Sequence, residues 1–180
     1  MTKILFLGHG NICRSPMAEF IMKDLVKKAD LEQKIIIESA ATGAEEIGNP
    51  VYPPVRRKLA EHEIDCSGKR ARQLQNSDYE KYDLLIGMDS ANLWNMYRIC
   101  GGDFADKMHL LMDFTDRPGE VADPWYTDDV DTAWRDVEES TLFISLLLKP
   151  ASMSLMISCG SSKRGLSEVM MTLSLRRTAS

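Results

Sequence analysis

The chain has 180 residues and is 44% hydrophobic, so it can bury one core but is short for two ordinary domains. Its formal net charge is −5 and its basic residues form no long run, which argues against a nucleic-acid-binding surface. The four cysteines, at positions 13, 66, 100 and 159, show no CxxC spacing, which argues against a structural zinc site and a secreted disulfide framework.

Short apolar runs rich in branched residues predict strands, and helical patterns separate them. The first run, Ile4–Leu7, is too short for the core of a signal peptide, so we expect a cytoplasmic protein. In chain order the predicted elements are a strand at 4–7, a helix at 16–28, a strand at 34–38, a helix at 54–62, a strand at 84–88, a helix at 90–99, a strand at 107–112 and a helix within 132–148. This alternation predicts an α/β fold, a parallel sheet with helices on both faces.

Ligands of such a sheet bind beyond the carboxyl ends of its strands. Ser15 as N-cap and Pro16 as first helical residue predict that the loop after the first strand leads into a helix. Consecutive backbone N–H groups and the helix dipole favour an anion there, and the Arg14 guanidinium matches two phosphate oxygens. The alternative is an ordinary strand-to-helix turn. The loop residues are Gly8, His9, Gly10, Asn11, Ile12, Cys13, Arg14 and Ser15.

The composition changes after Ser140. Residues 141–180 contain nine serines, four methionines, five basic residues and one acid; they carry +4, which leaves −9 for residues 1–140. The run 142–148 is too short to cross a bilayer, and Pro150 ends any helix there. We expect a domain at 1–140 and an atypical serine-rich tail at 141–180, helical at its start and poorly ordered afterwards. A frameshift near codon 140 would also explain this change.

The segment Ile4–Pro16 closely resembles the signature of the low-molecular-weight protein tyrosine phosphatases, in which a cysteine ends the first strand and an arginine follows six positions later. The resemblance covers roughly residues 3–139. It implies a four-stranded parallel sheet between helices and phosphomonoester chemistry without a metal or cofactor. The implied partners are a phosphorylated protein or small phosphomonoester, with inorganic phosphate as product or inhibitor. Further matching segments are Ser39-Ala40-Ala41-Thr42, Ile47-Gly48-Asn49-Pro50, Ala71-Arg72-Gln73-Leu74, Met88-Asp89-Ser90-Ala91-Asn92-Leu93 and Asp123-Pro124-Trp125-Tyr126.

The departure from this signature is Gly8, which stands where the family places its nucleophilic cysteine. That chemistry needs a thiolate to attack phosphorus. Loss of the nucleophile lowers turnover by about 10⁶-fold. Cys13 adjoins Arg14, so no loop can wrap its sulfur; its counterpart in the family can form a disulfide with the nucleophile, a partner that is absent here. We expect His9 to be a pocket-wall residue and not a substitute nucleophile.

The resemblance also assigns roles outside the loop. Asp123 matches the general acid that protonates the leaving group and then activates water. The residues alone favour a different role, in which Asp123 begins a turn or caps the helix from about Asp129; the resemblance reverses this interpretation. Trp125 and Tyr126 match wall residues that flank an aromatic substrate.

Other matched positions support or surround the loop. Asn11 and Ser15 match residues that brace it. Asp89 is predicted to cap the helix from Ser90 and, by the resemblance, to lie near the loop. Glu45 matches a variable position at the pocket rim, where an acid would favour basic phosphopeptides.

Three functions are compatible with these residues. In the first, the chain is a pseudophosphatase or binding module that holds phosphate but hydrolyses poorly. Alternatively, its parent is an active protein tyrosine phosphatase, a hydrolase with cysteine at position 8, one base change away from glycine. An arsenate reductase is rejected because the cysteines it needs are missing and position 87 is glycine. The sequence does not distinguish phosphotyrosine from phosphoarginine or another phosphomonoester as substrate.

Overall fold

The computed structural model describes residues 1–148. Its strands and helices alternate along the chain, as the sequence predicts. They are β1 (Thr2–Gly8), α1 (Arg14–Lys28), β2 (Ile35–Ala41), α2 (Pro53–Glu61), α3 (Asp78–Lys81), β3 (Leu84–Gly87), α4 (Ser90–Cys100), β4 (Met108–Leu110), a 3₁₀ turn (Leu111–Phe114), α5 (Pro124–Thr127) and α6 (Val130–Leu148).

The four strands form one parallel sheet in the order β2-β1-β3-β4. β1 lies inside the sheet, and alternate side chains of a strand point to opposite faces. Ile4 and Phe6 pack with α1 and α6, whereas Leu5 and Leu7 pack on the other face against α4. Burial on both faces explains why the run is continuously apolar. The predicted three-layer α/β fold is confirmed.

Three predicted boundaries are wrong, the first of them at β2, which was expected at 34–38 and continues to Ala41. The strand expected at 107–112 ends at Leu110, because the Asp113 carboxylate accepts a hydrogen bond from the Leu110 N–H (3.0 Å) and closes a 3₁₀ turn. Helix α1 begins at Arg14, with Cys13 as N-cap and without a side-chain cap, so Ser15 is not the cap. Pro16, the third residue of α1, is tolerated because the first N–H groups of a helix have no intrahelical partner.

The last described helix crosses the boundary predicted at residue 140. α6 runs without a break to Leu148, and Thr141, Ile144 and Leu148 are buried in its packing. Residues 149–180, the rest of the predicted tail, lie outside the described residues. Among the helices of residues 1–148, none combines the length and apolar composition that crossing a bilayer requires.

Candidate functional site

The loop between β1 and α1 is held by backbone hydrogen bonds to neighbouring segments. Carbonyl groups of Gly8, His9 and Ile12 accept from the N–H groups of Thr42 (2.8 Å), Gly43 (2.9 Å) and Tyr52 (2.8 Å). The backbone N–H groups of residues 9–13 donate to no protein acceptor within residues 1–148. The loop therefore offers a run of free donors beside a helix N-terminus, an arrangement suited to an anion.

The backbone at Gly8 does not require glycine. Its φ lies outside the left-handed region, so an L residue can adopt this conformation. A Cβ at this position would lie 3.0 Å from Ser15 Oγ and 3.4 Å from Ser15 Cβ. The nearest obstacle is thus one hydroxyl, which a shift of a few tenths of an ångström clears. The position can hold a side chain that faces the start of α1.

Arg14 lies at the floor of the loop and is only 5% exposed. Its Nη1 donates to Asp89 Oδ2 (2.8 Å) and to the Val121 carbonyl (2.8 Å), and its Nη2 donates to Asp123 Oδ2 (2.5 Å). A buried guanidinium needs such partners, because an unpaired charge away from water is costly. The two carboxylates hold the arginine beneath the loop and balance its charge.

A second network braces the loop through Asn11, which has φ 56° and is 2% exposed. Its amide nitrogen donates to Ser15 Oγ (3.1 Å) and Ser39 Oγ (2.7 Å), and its amide oxygen accepts from the Arg72 N–H (3.2 Å). Asparagine tolerates the left-handed region better than most residues. It therefore fixes both the turn and its neighbours.

The brace continues into a buried ion pair below the sheet edge. Ser39 donates to the Glu19 carboxylate (2.5 Å), which also accepts from Lys69 Nζ (2.6 Å). Burial lowers the pKa of Lys69, and the Glu19 charge opposes that shift. Neither Glu19 nor Lys69 was predicted from the sequence. The sequence does show that Glu19 is a charged residue among the apolar positions of α1. It does not show which distant residue would pair with this carboxylate.

We expect Asn11→Ala to lower the free energy of unfolding by about 2–4 kcal/mol, because three hydrogen bonds are lost and alanine is strained at positive φ. Asn11→Gly removes the same bonds without that strain and should cost less than Asn11→Ala. Urea denaturation measures both. The control is Glu63→Ala, at an exposed position with φ 60°. Equal effects of Asn11→Ala and the control would contradict the bracing role.

The segment after β4 brings Asp123 to the loop. The Val121 N–H donates to the Met88 carbonyl just beyond β3 (3.0 Å), which fixes this segment next to Arg14. One Asp123 oxygen pairs with Arg14, and the other accepts from the Trp125 N–H (3.1 Å) as the N-cap of α5. Asp123 thus lies at the site and caps α5, not the helix from about Asp129 for which the sequence suggested it as a cap.

The pocket above the loop has a volume of about 200 Å³. Trp125 and Tyr126 lie on one side of its mouth, exposed by 55% and 84%, and the Trp125 ring packs against Tyr52 at 5.3 Å between centroids. Glu45 lies on the rim with His9, 3.4 Å between Oε2 and Nε2. The lining residues are Gly8, His9, Gly10, Asn11, Ile12, Cys13, Arg14, Ser15, Glu45, Glu46, Asp123, Trp125 and Tyr126.

Apart from Asp89, the site residues singled out from the sequence thus line one pocket, and Glu46 is an addition. Glu46 follows Glu45 in an exposed turn, and sequence reasoning had no signal to separate it from a solvated acid. Asp89 caps α4 by accepting from the Asn92 N–H (2.7 Å) and also pairs with Arg14. It lies just behind the lining residues.

Cys13 does not have the character of a reactive thiol. The side chain is buried, and burial together with the Asp123 charge raises its pKa to about 12, although Arg14 opposes the shift. Reactive cysteines have a lowered pKa. Cys13 is thus a packing residue of the loop and stays a neutral thiol at neutral pH.

Fold and site together define an α/β protein with a pocket that is lined by the loop after β1 and by the buried Arg14. Comparison with known proteins agrees with this class. Residues 3–141 match the model of the low molecular weight phosphotyrosine protein phosphatase family. The chain belongs to this family.

Individual relatives give the same result. The low molecular weight protein-tyrosine-phosphatase YfkJ of Bacillus subtilis is 37% identical over 129 residues, 71% of this chain and 83% of that protein. The low molecular weight phosphotyrosine protein phosphatase of Schizosaccharomyces pombe is 38% identical over 133 residues, 70% and 84% of the two chains. The crystal structure of SP-PTP, from Streptococcus pyogenes, superposes with a TM-score of 0.77 at 33% identity, covering 87% of this chain and 99% of that one.

Proposed function

We propose that this chain binds phosphotyrosine-type phosphomonoesters in the pocket above residues 9–15 and hydrolyses them poorly. The observation that carries the proposal is the set of free loop N–H groups above a buried Arg14, with Gly8 at the end of β1. The family match supplies the ligand class, since the related proteins are named for phosphotyrosine.

Binding and bond cleavage depend on different parts of this pocket. The phosphate oxygens need the N–H groups and the Arg14 fork, and these come from the backbone and one side chain. Cleavage by double displacement also needs a nucleophile within reach of phosphorus. Position 8, where the resemblance places that nucleophile, contributes only backbone. The chain therefore functions as a pseudophosphatase, a binding module on a phosphatase scaffold.

A second candidate is an active protein tyrosine phosphatase whose parent has cysteine at position 8. The observation that favours it is the geometry of Gly8, whose φ and surroundings accept a side chain. Glycine is not kept there by a left-handed turn. The two candidates differ in the origin of this residue and agree on the binding pocket.

Oxyanion binding tests the proposal. We expect phosphate and vanadate to bind this chain in isothermal titration calorimetry, and Arg14→Ala to weaken phosphate affinity by about 30- to 100-fold, because charge-assisted hydrogen bonds are lost. Arg14→Lys should recover little of it, since an ammonium group cannot form the two parallel bonds.

The matched control is Arg57→Ala, which removes an exposed charge of α2 outside the pocket lining. Circular dichroism melting establishes that each variant is folded. Unchanged phosphate affinity in folded Arg14→Ala, or no oxyanion binding by the unmodified chain, would refute the proposal.

A further inference from the structure

The charges of the pocket are arranged in two layers. Arg14 and the loop N–H groups form a positive floor, whereas the carboxylates of Glu45 and Glu46 lie at the mouth. A phosphorylated side chain must insert its phosphate past this acidic rim. In a peptide, the residues next to the phosphorylated residue stay outside the pocket, where they face the rim carboxylates.

Both rim carboxylates are held in place by hydrogen bonds. Glu45 Oε2 accepts from the Ala44 N–H (2.9 Å) and faces His9, and Glu46 Oε2 accepts from Asn49 Nδ2 (2.6 Å). The backbone N–H of Glu45 itself is the main cause that lowers the pKa of this carboxyl, with His9 as the second cause, so the carboxylate is ionised at neutral pH. The rim charge is thus a fixed feature of the pocket entrance.

The Glu46 side chain also lies directly over the loop. A Cβ added at Gly10 would come within 2.8 Å of Glu46 Cγ and 3.3 Å of its Cβ. Glycine at position 10 therefore makes room for this acid above the phosphate loop. The half-exposed Trp125 ring also lines the pocket, packs against Tyr52 and offers an aromatic face to a cation.

We propose that this mouth selects phosphotyrosine segments with lysine or arginine beside the phosphorylated residue, with Glu45 and Glu46 as the discriminating groups. The inference rests on the proposed function and adds the sequence context of the ligand. Basic flanking residues pair with the rim, and acidic ones are repelled by it. The domain adds to this bias, because residues 1–140 carry −9.

The test compares phosphotyrosine peptides that are identical except for arginine or glutamate on both sides of the phosphotyrosine. At low salt we expect the basic peptide to bind this chain about tenfold more tightly, with most of that ratio lost at high salt, as for exposed ion pairs. Fluorescence anisotropy measures both affinities. The double variant Glu45→Gln/Glu46→Gln should bring the ratio to about twofold or less.

The control is Glu32→Gln/Glu138→Gln, which removes two exposed acids away from the pocket and should keep the ratio. If phosphate binds but the unmodified chain prefers the acidic peptide or neither, the inference is wrong and the proposed function stands. If neither peptide nor phosphate binds, both fail. Should the double variant not fold, the single variants Glu45→Gln and Glu46→Gln decide: each should lower the ratio, and an unchanged ratio in both would overturn the inference.

Discussion

Replacing Gly8 with cysteine is expected to raise aryl phosphate hydrolysis by several orders of magnitude, because loss of a covalent nucleophile costs about 10⁶-fold in comparable mechanisms. The new side chain would extend from the end of β1 toward Ser15 and the loop N–H groups. Those dipoles and Arg14 should lower the thiol pKa by a unit or more from about 8.5, which makes the thiolate available at neutral pH.

Two further variants separate nucleophilicity from bulk at this position. Gly8→Ala adds the Cβ alone and Gly8→Ser adds a hydroxyl that stays protonated, so neither should approach the rate of Gly8→Cys. Hydrolysis of p-nitrophenyl phosphate and phosphate binding are measured on all three. A folded Gly8→Cys variant that binds phosphate but remains inactive would show that the site differs from an active one by more than this residue.

In the Gly8→Cys background, Asp123→Asn should slow hydrolysis of phenyl phosphate by about 10²- to 10³-fold, because a poor leaving group needs a proton and we propose Asp123 as the group that supplies it. p-Nitrophenyl phosphate, whose phenolate leaves readily, should be affected much less. An asparagine oxygen can still accept from the Trp125 N–H, so the cap of α5 is retained. The measurement is kcat for both substrates against pH.

Asp89→Asn serves as the comparison, since Asp89 also pairs with Arg14 while lying behind the pocket lining. It should lower the rates with both substrates to a similar extent. Equal losses for the two substrates in Asp123→Asn would mean that Asp123 acts only by holding Arg14 in place.

The sequence was sufficient for the sheet and for the position of the site because both follow from local patterns. Continuous apolar runs such as Ile4–Leu7 predict doubly buried strands, and the glycine-containing loop before an amphipathic helix predicts an anion site. The start of α1 was misplaced by two residues because Ser15 and Pro16 suit a helix start by composition, while the helical backbone begins two residues earlier, at Arg14.

Contacts between distant segments could not be predicted in this way. Arg14 meets its two carboxylates 75 and 109 positions away, and Asn11 meets Ser39 28 positions away. No local preference encodes such pairs, because they form only when the sheet has assembled. The family resemblance named Asp123 for chemistry, but its ion pair with Arg14 needed the structure.

The hydrogen bonds that shape the loop involve the Gly8 carbonyl but no side chain at position 8. In the proposed function, the groups that bind phosphate are therefore separate from the side chain at position 8. That side chain can be changed without altering the binding groups. A series of nucleophiles placed at this residue would be compared against the same donors, the same arginine and the same acid. Rates measured across this series would give the contribution of the attacking atom alone to phosphoryl transfer.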